Sequence, residues 1–472
     1  MEPVGDEGKD LTKRGKDSAS FWLLYLVCMV EGADLQLLPS TLRALEAEVG
    51  LSPTHLAALA TCQALAQSAS APLWGSLVDS GWSEKSLLVG GSMGWGILTF
   101  LLAGTTEWYS MLVLRTLNGL ALAILTPVSQ TLVARSTVAA ERGHYFGMCE
   151  LALIMGQLTC AIFATTISNW TVLGFRGWRV AFGAVALASL ALSVMLMVLM
   201  NNAGTKERKV VSFQAESDMF RRCCKIGTFR IIVLQGCLGS IPWSALGTFA
   251  ILFFQYLGIK DLQAAVLFAT CQIALGLGNL LGGHVADTLA RCSRFHGRPL
   301  AAQISVLSGL PLIVWFIFIP RVASSFAQYA VVLCVFGLTC SWCKAGVNRP
   351  ILTEVVPESS QARILSWLIA LEGSVAACLG PSMTSAIAEH AFQYEPQRGR
   401  LDKIPESLRA TNARALAMGI FWMCAVPWTA CFLIFSLLHF TYKSDVRSAH
   451  GADAEMSALL PERSHTVESS SC

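Results

Sequence analysis

The chain has 472 residues, of which 54% are hydrophobic and only 14% charged, with a mean hydropathy of +0.55 and a formal net charge of +3. A soluble protein carries about a quarter charged residues, so most of this chain belongs in lipid and no soluble domain is left over. The bilayer is the first expected partner, and no nucleic-acid partner is expected.

A hydrocarbon core of about 30 Å takes roughly 20 residues of helix to cross. In chain order, apolar runs of that length predict spans at about residues 20 to 43, 53 to 79, 86 to 105, 108 to 134, 143 to 168 and 178 to 200. A second set is predicted at about 229 to 257, 262 to 290, 299 to 320, 326 to 352, 362 to 390 and 413 to 440. The first is not a cleavable signal, because Glu31 and Asp34 interrupt it and no small-residue cleavage site follows.

Lys and Arg in the connections set the orientation. With a cytosolic N-terminus, the inside segments hold Lys9, Lys13, Arg14 and Lys16, then Lys85, Arg135 and Arg142. They also hold Lys206, Arg208, Lys209, Arg221, Arg222 and Lys225 of a central linker, and Arg291, Arg294 and Arg298. The loop before the last span runs against the rule with Arg398, Arg400, Lys403, Arg409 and Arg414, but long loops weigh less. The sequon Asn169-Trp170-Thr171 falls outside or in a lumen, in a loop short enough that an unmodified asparagine is expected.

Sixteen cysteines lie mostly inside apolar spans, where cysteine behaves as a small hydrophobe. No disulfide, metal site or cofactor is expected, since Cys223-Cys224 and Cys340-x-x-Cys343 lack partners at ligand spacing. Residues 1 to 19 and 441 to 472 read as polar, disordered cytosolic tails. The second contains Glu455-Met-Ser-Ala-Leu459-Leu460, which looks like an acidic dileucine sorting signal, so the expected location is the plasma membrane or an endolysosomal or vacuolar membrane.

Gly75-Ser-Leu-Val-Asp79 is matched by Gly283-His-Val-Ala-Asp287 after an offset of 208 residues, each at the cytosolic end of the second helix of its half. The chain therefore reads as a six-helix half at 20 to 200, a linker at 201 to 228 and a second half at 229 to 440. Parallel repeats of this kind are one architecture of secondary transporters. The glycine admits a close neighbour and the acid can pair with a cation or helix N-terminus, giving a latch that opens as the halves rock.

These residues resemble the major facilitator superfamily. Gly75-x-Leu77-x-Asp79 with Lys85 is similar to its signature between the second and third helices, although Ser80 stands where an arginine is usual and the turn is one residue longer. Arg115-Thr-Leu-Asn118-Gly119 looks like a second signature. Glu141-Arg142-Gly143 and Glu354-Val-Val-Pro357 with Arg363 look like its corner pairs. Gln235-Gly236, Pro242-Trp243, Gln303-Ile304-Ser305, Ser341-Trp342 and Asn348-x-Pro350-Ile351 resemble a plant, algal and protist spinster-like branch. Spinster-type proteins often carry a glutamate seven residues after the fourth-helix arginine. Leu122 occupies that place, so a lysolipid substrate is not implied. The resemblance implies an all-α membrane protein with twelve transmembrane helices in two six-helix pseudo-symmetric halves.

A charge at mid-bilayer costs at least about 2.5 kcal/mol, so ionisable residues within spans face a cavity or a partner. Glu31 and Asp34, three residues apart on one helix face, either take up and release protons or pair with a fixed cation. Arg115 either binds a substrate carboxylate or phosphate, or ties its helix to Glu31 or Asp34. Glu150 lies two turns into the fifth span, and Lys344 and Glu372 either pair across helices or leave Lys344 to receive an anion. Gly75, Asp79, Lys85, Glu141, Arg142, Gly283, Asp287, Glu354 and Arg363 are the gating candidates. Trp95, Trp243, Trp342 and Trp367 either line a cavity or pack between helices.

The expected function is secondary active transport of a small organic solute, an organic anion among the candidates, by alternating access with proton coupling through Glu31 or Asp34. The alternatives are a facilitative uniporter of the same fold and a non-transporting sensor or scaffold. An enzyme is not expected, because no nucleophile and base stand at usable spacing.

Overall fold

In lipid every backbone N–H and C=O must be satisfied within the protein, so apolar runs of this length fold as helices. The computed structural model describes residues 7–79, 82–136, 142–172, 174–200, 213–356 and 361–459. The first half comprises α1 (Glu7–Val49), α2 (Pro53–Asp79), α3 (Glu84–Gly104), α4 (Trp108–Leu122) with α5 (Leu125–Ser136) beyond a turn, and α6 (Arg142–Ser168). A hairpin of β1 (Thr171–Val172) and β2 (Phe175–Arg176), with Thr171 opposite Arg176, then leads into α7 (Gly177–Leu199). Helix α8 (Phe213–Cys223) belongs to the linker. The second half comprises α9 (Gly227–Tyr256), α10 (Asp261–Cys292), α11 (Gly297–Phe318), α12 (Phe326–Cys340), α13 (Arg349–Val355), α14 (Gln361–Ala386) and α15 (Glu406–Leu459).

Eleven of the described helical segments are long and apolar enough to cross a membrane. Helix α2 supplies the twelfth crossing with 27 residues, but Thr61, Gln63, Gln67, Ser68 and Ser70 dilute its apolar character. Thr61, Gln63 and Gln67 face partners inside the bundle, where α2 packs between α4 and α14. On the lipid side the apolar surface is open: Phe318 and Phe440 are 79% and 80% exposed.

Three elements differ from expectation. Helix α1 begins at Glu7 and α15 runs to Leu459, so both reach into segments read as disordered; extending an existing helix adds one hydrogen bond per residue without a new nucleus. The tenth span is not one α-helix, because a π-helical turn at Cys343–Asn348 separates α12 from α13. Such turns arise where the helix carries an extra residue, often at functional sites.

Close packing rests on a few glycines. A Cβ on Gly32 would lie 2.0 Å from the Leu153 carbonyl oxygen, and one on Gly156 would lie 1.8 Å from that of Met29. Helices α1 and α6 therefore meet backbone to backbone, and Gly32 sits between Glu31 and Asp34. Without a hydrophobic force between helices in lipid, such small-residue contacts carry much of the association.

The start of α9, just after the linker helix, meets the C-terminal part of α15, where the Thr228 amide donates to Asp445 at 2.7 Å, and the placement of Lys and Arg predicts that this face is cytosolic. Away from that face, hydrogen bonds join the halves. Thr54 donates from its amide and its hydroxyl to Glu389 at 2.7 and 2.9 Å, and Gln272 Nε2 donates to Gln157 Oε1 at 3.1 Å.

Candidate functional site

A polar cluster fills the first half around Asp34, which is fully buried on α1. Its Oδ1 accepts from the Thr99 hydroxyl of α3 at 2.9 Å, and its Oδ2 accepts from Gln63 Nε2 of α2 at 3.1 Å. Arg115 of α4, also buried, brings Nη1 to 4.0 Å from Asp34 Oδ2. Asn118, one turn on, accepts from Gln63 at 2.8 Å and donates to Thr99 at 2.9 Å. Four helices thus converge on one carboxylate.

The local sequence explains the approach. A Cβ on Gly119 would fall 2.2 Å from the Gln63 carbonyl oxygen, so glycine at that point lets α4 lie against α2 beside the polar side chains. Arg115 is left incompletely served: its Nε and Nη1 are buried and, among the described residues, have no hydrogen-bond acceptor. A buried donor without an acceptor costs about 1–3 kcal/mol, more when charged. Glu31 lies nearby, nearly buried, with Gln67 Nε2 donating to it at 3.4 Å, and is within electrostatic reach of Asp34 and Glu150. Glu150 itself is exposed on α6.

In the second half, Glu372 on α14 is nearly buried and occupies space that only glycine leaves open: a Cβ on Gly236 of α9 would lie 1.8 Å from its Oε1. Lys344 projects from the π-helical turn and is exposed. Lys344 and Arg349 are the cations acting on Glu372, yet among the described residues no ion pair within 4.0 Å joins Lys344 to it. The same turn ends at Asn348, whose buried Oδ1 has no donor.

The corner of the second half predicted to be cytosolic is built around Arg298. It lies 3.4 Å from Asp287 and 2.7 Å from Glu354, while the Tyr442 hydroxyl donates to Glu354 Oε2 at 2.7 Å. A Cβ on Gly283 would meet open space, and the close contacts of α10 fall on Gly278 against Gly337, on Gly282 against Trp342 and on the Gly282–Gly283 backbone against Gly346. In the first half a Cβ on Gly75 would reach only ordinary contact with Pro127, at 3.9 Å, and Lys85 is partly buried in the first turn of α3. Glu141, Ser80, Gly81 and Pro357, and the side chains of Asp79, Arg142 and Arg363, lie outside the described residues.

The tryptophans pack. Trp95 Nε1 donates to Ser189 Oγ, Trp342 Nε1 donates to the Leu338 carbonyl at 2.7 Å, and Trp243 stacks edge-on with Phe336 and Trp428 at 5.3 and 6.2 Å. Trp367 meets Phe220 of α8 at 6.0 Å, which docks the linker helix on α14.

Sequence reasoning did not single out Gln63, Gln67 or Thr99. The available signal was two glutamines one helical turn apart in an otherwise apolar span. It also did not find Arg43 and Glu46, because the first span was expected to end at residue 43 whereas α1 continues to Val49.

A family model described as Major Facilitator Superfamily matches residues 24–381. The chain is similar to the cis,cis-muconate transport protein of Acinetobacter baylyi, at 23% identity over 379 residues that make up 78% of this chain and 87% of that protein. Among solved structures, a bacterial homologue of the human lysosomal transporter Spinster superposes with a TM-score of 0.76 at 15% identity, covering 91% of this chain and 98% of that one. A D-xylose-proton symporter superposes with a TM-score of 0.65 at 15% identity, covering 90% and 98%. At these identities the solved structures share the fold.

Proposed function

The chain belongs to the Major Facilitator Superfamily, as a multi-pass membrane transporter and not an enzyme, and from that premise we propose that it carries a small organic carboxylate together with a proton by alternating access. The observation that carries this reading is Arg115: a buried guanidinium whose Nη1 stands 4.0 Å from Asp34, and whose Nε and Nη1 make no hydrogen bond among the described residues. A planar guanidinium matches a carboxylate through two parallel hydrogen bonds. Two carboxylates on one buried guanidinium leave an uncompensated negative charge, so substrate binding competes with ionised Asp34. Protonation of Asp34 frees Arg115 for the substrate anion, and departure of the anion returns Arg115 to Asp34. One proton is thereby tied to one negative charge, and Glu31, three residues away and facing Gln67, is the second group through which the proton can pass. The muconate carried by the bacterial relative is a dicarboxylate, in keeping with an anionic cargo.

The test is uptake into proteoliposomes holding the purified chain, with muconate and neutral metabolites offered with and without an inward proton gradient. Gradient-driven uptake of the anion is expected, falling about a hundredfold in Asp34→Asn and Arg115→Lys, the loss of one charge-assisted pair. Uptake indifferent to the gradient and to substitution of Glu31 and Asp34 would leave a uniporter. Binding without flux would leave a sensor.

A further inference from the structure

The halves are joined at the outer face by a second buried charge cluster, distinct from Asp34. Glu46, near the end of α1, is fully buried. Its Oε1 accepts from the Tyr256 hydroxyl of α9 at 2.8 Å, the Tyr394 hydroxyl at 2.8 Å and the Gln397 amide at 3.0 Å. Its Oε2 lies 3.3 Å from Arg43 Nη1. Arg43, 2% exposed, donates to the carbonyls of Gln397 and Gly399 at 2.9 and 2.7 Å and lies over the Tyr256 ring at 5.5 Å. The Gly399 amide closes back on the Ala47 carbonyl at 3.1 Å. A carboxylate of the first half thus gathers donors from α9 and from the segment before α15, both in the second half.

A buried charge is tolerated only when it is paired and its remaining lone pairs are filled. As built, every group facing Glu46 donates to it: two phenols, a backbone amide and a guanidinium. A proton on Oε2 would point at Arg43, and one on Oε1 would turn a phenol from donor to acceptor or displace the amide, so these four donated bonds favour the ionised form. We infer that Glu46 is a proton-binding residue of the outer gate, which clamps the halves together when ionised and releases them when it takes up a proton from the outer side.

The surrounding charges are themselves engaged. Asp261 on α10 accepts from Gln255 at 2.7 Å and Asn169 at 3.1 Å, Glu48 pairs with Arg176 and Arg179 at 3.5 Å each, and Arg398 sits against Gly50. Burial, then the neighbouring Glu46 charge, pushes the Tyr394 phenol well above its ordinary value, so it remains a donor across the working range. The sign follows: the clamp is present while Glu46 is ionised and is lost as the outer pH falls.

Hydrogen exchange measured by mass spectrometry on the full chain in nanodiscs reads this without any substrate. The Gln397 and Gly399 amides, bonded to Glu46 and Ala47, are the reporters. After correction for intrinsic rates, the wild type is expected to exchange about tenfold faster at about pH 5 than at about pH 7.5. Glu46→Gln should exchange fast at both and lose the dependence. Tyr394→Phe, which keeps the charge, should loosen the segment at neutral pH yet keep the response to acid. A wild type without pH dependence, a Glu46→Gln that retains it, or a Tyr394→Phe as protected as the wild type would each overturn the inference. Because no flux is measured, failure of the carboxylate reading leaves this result standing.

Discussion

Gly32 shows how much one missing side chain decides. It lies between Glu31 and Asp34, and the Leu153 carbonyl of α6 stands where its Cβ would be, at 2.0 Å. Backbone cannot swing aside as a flexible side-chain end can, so Gly32→Ala must push α1 away from α6. Overpacking of this kind costs about 1–3 kcal/mol or more, and thermal unfolding in detergent should show a midpoint several degrees lower. The shift should also turn Asp34 away from Thr99 and Gln63, so any residual protein would bind the anion more weakly. A Gly32→Ala variant as stable as the wild type would mean that α1 and α6 are not in backbone contact in the membrane. The same reasoning separates Glu31 from Asp34. Asp34 has fixed donors from α2 and α3 and a cation from α4, whereas Glu31 has one long bond to Gln67 at 3.4 Å, so the two acids differ in environment despite sharing a helix face.

At the scale of elements, the hairpin after α6 carries a prediction about modification. Asn169, the sequon asparagine, donates from Nδ2 to Asp261 Oδ2 of the other half at 3.1 Å. A glycan is attached at that same nitrogen, so the bridge and the modification compete for one atom. The chain made in a eukaryotic host should show no mobility change on endoglycosidase treatment, whereas Asp261→Ala would leave the nitrogen free. A clear shift in the wild-type band would place Asn169 away from Asp261 in the assembled protein. Legibility also sorts by element. Long apolar helices such as α7 and α11 were readable because about twenty residues of hydrocarbon-compatible sequence admit little else. The crossing of α2 was readable too, although the side chains that make it less apolar are those that serve Asp34 and Glu31. The π-helical turn at Cys343–Asn348 was not, since one extra residue in a helix leaves the hydropathy of the span unchanged. Nor was the segment before α15, which has no periodicity. Its cations looked like a violation of orientation, yet Arg398 lies against Gly50, whose φ of +79° suits glycine and gives it room.

For the whole molecule, the contacts among the described residues differ between the two ends of the bundle. At the end of the second half predicted to be cytosolic, Arg298, Asp287, Glu354 and Tyr442 form a network within that one half. On the outer side, Thr54 with Glu389, Glu46 with Tyr256 and Tyr394, and Asn169 with Asp261 each join one half to the other. Separation of the halves at this end must break those bridges. A covalent tie between α2 and the end of α14 should therefore trap a single state. With Thr54→Cys and Glu389→Cys joined by a short cleavable thiol crosslinker, uptake should fall at least about tenfold and return on reduction, while the anion should still bind from the cytosolic side. Each single-cysteine variant treated alike should keep its flux, which controls for the native thiols. Full uptake by the crosslinked double variant would mean that the halves do not separate at this point, and the rocking of two rigid halves would have to give way to a motion confined within one of them.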